Sequence, residues 1–136
     1  MPATISQVKE GLKNAINSVA GLRAFDYQPD QVNPPFAWPT LDTITYHQTG
    51  MAAGGVVMNF TVTLVVNRAS ERTAQEQLDD YMSWDGKKSL RKAIEADRTL
   101  GGVCDDLIVT NAENLTNIDA NDTLYLAVDF KVTVYA

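Results

Sequence analysis

A single cysteine, Cys104, and a single histidine, His47, are all the thiol and imidazole in this 136-residue chain. One cysteine excludes an intrachain disulfide and a cysteine-based zinc site. His47 reads as a residue on the polar face of a strand, with no second histidine to complete a metal-ligand set or a triad. Long apolar runs are missing as well, and none approaches the ~20 residues of a membrane helix. The opening Met1-Pro2-Ala3-Thr4 lacks the charged-then-apolar pattern of a signal peptide, so the chain reads as intracellular and soluble. On that reading the Asn-x-Thr triplets at Asn59, Asn114 and Asn121 are coincidences. Basic charge is scarce: 11 Lys and Arg stand against 17 Asp and Glu, a net charge of −6. That balance opposes a general grip on nucleic-acid backbones, which needs clustered excess cations.

The chemistry-bearing motifs are absent too. There is no phosphate-cradling glycine loop, no Gly-x-Ser-x-Gly and no His-Glu-x-x-His. Asp105 and Asp106 are adjacent in a predicted strand and point to opposite faces, so they cannot work as an acid/base pair. Asp119 to Thr123 resembles the opening of a calcium loop but lacks its glycine and distal glutamate. The reading is a non-enzyme with no cofactor and no metal. Its alternative is a small ligand-binding or enzymatic domain with a pocket lined by Tyr27, Tyr46 and Trp84.

What the chain does have is core. Apolar residues make up 45% of it, and at this length roughly two-thirds of the extended surface is buried on folding, which suits one domain over residues 1–136. Ile5, Val8, Leu12, Ile16 and Val19 recur at helical spacing and predict a helix over Thr4–Val19. Arg23 to Thr40 carries Pro29, Pro34, Pro35 and Pro39 and reads as a loop, with one short edge strand at Ala24–Tyr27. Phe36 and Trp38 either pin that loop to the core or form part of a partner surface. Ile44 and Tyr46 begin a strand. Val56 to Asn67 then alternates strictly and predicts a second strand, ~36 Å long and able to protrude beyond its sheet, with even-numbered residues inward. Ser70 caps a helix from Glu71 to Met82, and a second helix turns Leu90, Ala93 and Ile94 inward. A strand at Val103–Thr110, a polar loop through Asn121 and an alternating strand Leu124–Tyr135 close the chain. The class is α+β: an antiparallel or mixed sheet of about four strands with helices on one face.

Two surfaces are candidates for partner binding. Seven basic residues lie between Arg68 and Arg98, and Lys131 alone follows, against six acidic residues. Lys87, Lys88, Arg91 and Lys92 therefore read either as a solvated helix face or as a patch meeting the acidic end of a second copy. The other candidate is the hairpin tip, Gln48-Thr49-Gly50-Met51-Ala52-Ala53-Gly54-Gly55. It reads either as plain flexibility or as a docking element, whose small residues permit close backbone approach and whose Met51 adapts to irregular pockets.

Taken in order, these features resemble a tail terminator (tail-completion) protein of a bacteriophage with a long, non-contractile tail. The resemblance is carried by the helix Thr4–Val19, the run Asn33-Pro34-Pro35-Phe36-Ala37-Trp38-Pro39 and the long strand Val56–Asn67. It continues through the helical segment from Leu78-Asp79-Asp80-Tyr81 to Ala93-Ile94, then Leu100-Gly101-Gly102-Val103-Cys104-Asp105-Asp106 and the closing strand Tyr125–Val134. It implies a small α+β fold in a six-membered ring of the virion, with no catalysis. Such a ring caps the head-proximal end of the tail tube, stops its elongation and joins the neck. The implied partners are further copies of the chain, the major tail tube protein and a head–tail connector, with DNA only as passing cargo and no membrane. Another connector or tail-tube subunit is the alternative, since such proteins share parts of this pattern.

Overall fold

The computed structural model describes residues 5–19, 22–25, 35–46, 56–68, 72–83, 86–102, 104, 106–120 and 123–135; for 67–68, 72–74, 114–120 and 123 it describes the backbone alone. Chain order is α1 (Ile5–Asn17), β1 (Arg23–Ala24), β2 (Phe36–Tyr46), β3 (Val56–Arg68), α2 (Arg72–Met82), α3 (Leu90–Glu95), β4 (Asp106–Ala120) and β5 (Thr123–Tyr135). The strands form one sheet in the order β1-β2-β3-β5-β4. β1 runs parallel to β2 and every other pairing is antiparallel, so the fold is α+β with a mixed sheet. The sheet has five strands rather than about four, because the short stretch near Ala24 pairs Arg23 with Phe36 and Ala24 with Ala37.

Period-two alternation put the strands where they are. β3 is the central strand, and its even-numbered residues Met58, Phe60, Val62, Leu64 and Val66 share one buried cluster with Val128, Phe130, Val132 and Val134 of β5. Val8, Leu12 and Ile16 of α1, Leu78 and Tyr81 of α2, and Leu90 and Ile94 of α3 complete it, so all three helices bury their apolar stripes in the same core. A slip of one residue in β3 would turn that whole set outward. β3 does not protrude, since β2 pairs with it from Val56 to Val65 and β5 from Val57 to Arg68.

Three expectations are corrected. Phe36 to Thr40 is strand, not loop. Pro39 fits there because β1 reaches only as far as Ala37, leaving β2 an edge beyond it, where a missing N–H breaks no ladder bond. The polar segment after Thr110 continues β4 to Ala120, with irregularities between Val109 and Asn111 and between Glu113 and Thr116. Its Asn, Asp and Thr residues suit a loop by composition, yet an edge strand needs only one partner, and β5 supplies it. Leu124, expected inward, is half exposed, because it lies at the far end of the β4–β5 hairpin.

Gly11, a weak helix residue in mid-α1, has a packing reason. A Cβ at this position would lie 2.9 Å from Leu100 Cβ. Leu100 itself sits at φ 51°, a left-handed conformation for a non-glycine residue. Asp97 holds the turn that presents it: its carboxylate accepts from Thr99 N–H (3.1 Å), Thr99 Oγ1 (2.8 Å) and Gly101 N–H (2.8 Å). Gly11→Ala gains about 1 kcal/mol of helix propensity but overpacks a site where such insertions cost about 1–3 kcal/mol. A net loss in urea unfolding is expected; a more stable variant would contradict the close approach.

The hydrogen bond from the Thr99 hydroxyl, then those from the Thr99 and Gly101 amides, hold the Asp97 carboxyl below its ordinary range. A depressed folded value means the turn is supported above the unfolded pKa and loses that support as pH falls through the folded one. The protection of the Thr99 and Gly101 amides, taken relative to their intrinsic exchange rates, is therefore expected to fall as pH drops through the lowered Asp97 range, more than that of β3 amides. Equal loss of protection at both would contradict the role given to Asp97.

Candidate interaction surfaces

The basic residues singled out in the sequence sit around the start of α3. Ser89 caps this helix, accepting from Lys92 N–H (3.2 Å) and donating to the Ser83 carbonyl (2.6 Å), which ties the turn to the end of α2. Lys87, Lys88 and Lys92 are exposed and Arg91 is half-buried. Arg91 binds Glu95 at 2.8 Å, and Glu95 Oε2 also accepts from Val109 N–H of β4 at 2.8 Å. Arg98 binds Asp106 at 2.8 Å and donates to the Leu107 carbonyl. The stretch from Arg68 to Arg98 also contains seven acidic residues. Its charge is thus spent in part inside the chain, and Lys87, Lys88, Arg91 and Lys92 do not form one uniform patch.

The tip residues Gly50, Met51, Ala52, Ala53, Gly54 and Gly55 lie outside the described residues, as do His47, Tyr27 and Trp84. The tip's two ends are placed by the pairing of Tyr46 with Val56. At the same end of the sheet Val57 pairs with Tyr135, and Tyr46 and Tyr135 are 65% and 39% exposed. Of the three residues suggested for a small-molecule pocket, Tyr46 alone is described, and it stands in solvent at the end of the sheet.

Among the described residues no helix packs on the sheet face opposite the core. Rows of polar side chains cross it instead. Asn59 donates to Thr43 Oγ1 (2.9 Å) and accepts from Thr133 Oγ1 (3.1 Å), linking β2, β3 and β5. In the next row Lys131 donates to Thr61 Oγ1 (2.8 Å) and lies 3.5 Å from Asp42 Oδ2, to which the Thr61 hydroxyl also donates. Thr63 donates to Asp129 (3.1 Å) in the third. A hydroxyl beside a lysine suggests a nucleophile, but Thr61 is buried and its proton is engaged by a carboxylate. These rows are cross-strand ties of the kind that stabilise sheets.

At one end the same face carries Phe36 and Trp38, stacked at 5.6 Å, with Phe25 edge-on to Phe36 at 6.2 Å. Val65 and Ala127 join them in a second buried cluster. Trp38 is 9% exposed, so these aromatics pack inside the chain rather than presenting a partner surface. On the helix side, burial and then the Asp80 charge push the Tyr81 phenol above its ordinary value, so it remains a neutral core residue.

One surface went unseen in the sequence. Beside the outer edge of β4, Met82, Ser83, Arg91, Val109, Thr110, Asn111, Ala112 and Phe130 line an open groove of about 200 Å³. It forms where the irregular step between Val109 and Asn111 meets the end of α2, and sequence periodicity carries no signal for such a step. Among the described residues no three His, Cys, Asp or Glu side chains are grouped to hold a metal ion. No described helix is long and apolar enough to cross a membrane. No protein-family model matches the chain, and the search of curated proteins returned no significant match.

Proposed function

We propose that the chain is a virion structural protein, the tail terminator of a long-tailed bacteriophage, acting as a homo-oligomeric ring, six-membered by resemblance. In this reading the ring caps the head-proximal end of the tail tube, ends its growth and offers the neck a surface to join. The reading is supported by the ordered sequence features and by one structural observation. The sheet ends in two long edges on opposite sides, β2 beyond Ala37 and β4 along its outer side, neither with a strand partner among the described residues. Unpaired edges of this length are templates for pairing with another chain, and two different edges on one subunit give the head-to-tail contacts from which rings close. The tube protein and a connector are the implied partners above and below, and the tip 48–55 is the element proposed to dock on the tail tube or on a neighbouring ring subunit.

The experiment is localisation. An affinity tag at the C-terminus, visualised by electron microscopy of purified tails, is expected to mark a single ring at the head-proximal end. Label along the whole tube would favour a tube subunit, and label absent from particles would refute a virion role.

A further inference from the structure

Both edges carry half-buried apolar residues on the helix side of the sheet: Leu41 and Ile44 on β2, Val109 and Ala112 on β4. The register places all four on one side, since Leu41 opposes Phe60, Ile44 opposes Met58, Val109 opposes Val132 and Ala112 opposes Phe130. On β4 these residues line the groove together with Met82 and Phe130. The first amides of β4 are already taken: Leu107 N–H by Asp106 Oδ1 (2.9 Å) and Val109 N–H by Glu95 (2.8 Å). By the alternation of the ladder the next amide that faces outward is that of Ala112, and from Asn111 β4 runs on for ten residues. β2 beyond Thr40 offers six, Leu41 to Tyr46.

Strand direction fits as well. β2 runs parallel to β5 and so antiparallel to β4. A second copy rotated about an axis along the strands keeps its β2 direction, so its β2 meets the first copy's β4 antiparallel, and antiparallel pairs are slightly the more stable. Charge does not oppose this. Asp42, the one charged residue of β2, is paired with Lys131 of its own chain, so the β2 edge does not repel Glu113 of β4.

Resting on the ring reading above, we propose that the occupant of the β4 groove is Ile44 of a second copy. In this arrangement residues 40–45 of β2 extend the neighbour's sheet along β4 from Asn111 onward, and Ile44 enters the apolar groove beside Ala112. The pleat then continues across the boundary, with Thr43 and Thr45 on the polar face beside Glu113 and Asn111. Backbone bonds and apolar burial hold such a contact, so it is expected to persist in high salt, unlike one made of exposed ion pairs.

The test uses the full chain in a Cys104→Ser background, with folding checked by circular dichroism. Thr45→Cys and Asn111→Cys together, treated with a short bismaleimide, are expected to give a ladder of covalent oligomers. Each cysteine alone should give at least tenfold less product. In the same background Ile44→Asp, still folded, should lower the oligomer fraction at least tenfold. Oligomers by native mass spectrometry that give no ladder, or that survive Ile44→Asp, would overturn this interface and leave the ring reading standing. Single variants that cross-link as well as the double would also overturn it, pointing to like-edge pairing. A monomer at every concentration up to millimolar would overturn both.

Discussion

Phe60→Ala is expected to remove about 3–5 kcal/mol of stability, the usual range for deleting a buried aromatic ring from a core. Phe60 lies at the middle of the central strand and is 1% exposed. It opposes Leu41 on one side and Val132 on the other. Phe130, opposite Val62, is its diagonal neighbour on the same face, where long side chains still reach each other. The ring thus joins strands and helices, and a cavity at this point has no loose surroundings to collapse into. Since domains of this size are stable by about 5–15 kcal/mol in all, the variant should melt more than 10 °C lower or unfold in the cold room. Thr63→Ala, one turn of the pleat away on the polar face, should cost under about 1 kcal/mol, the net value of a typical hydrogen bond. Urea unfolding of both variants checks the pair, and a Phe60→Ala loss no larger than that of Thr63→Ala would show that the core lies elsewhere.

On the tail-terminator reading proposed above, removing the chain from its phage is expected to abolish length control while leaving heads to fill. A tube that grows by adding identical rings has no intrinsic stop, because each added ring recreates the surface that received it. A terminator ends growth only if its far face differs from its near one. This chain is suited to that asymmetry, since a ring built of head-to-tail contacts has two unlike faces. Electron micrographs of the mutant lysate should show tails of widely varying, mostly excessive length, free of heads. Tails of normal length attached to heads would rule out the proposed function.

The sequence disclosed elements according to how strongly periodicity marks burial. β3 and β5 alternate through more than ten positions because one face is buried along most of their length, and their inward residues were legible except at Leu124, near the hairpin end. α1 was legible for the same reason at helical spacing. β2 and β4 were not, because each is an edge strand whose burial is interrupted. In β2 the signal is broken by Pro39 and by the irregular step around Asp42, and in β4 by two such steps within a polar stretch. Gly11 read as a weakness of α1 until Leu100 came into place against it. The candidate surfaces follow the same rule. Lys87, Lys88 and Lys92 could be read as exposed, but the pairing of Arg91 through Glu95 to Val109 joins residues far apart in the chain, and the groove beside Ala112 exists only once α2 and β4 meet.

The central claim is that this chain closes on itself as a ring, and native mass spectrometry across a concentration series tests it most directly. The account predicts that the 14.9 kDa monomer gives way, as concentration rises, to a single closed species of six copies with no larger forms. A monomer at every concentration, or an open-ended series of oligomers with no preferred size, would contradict it.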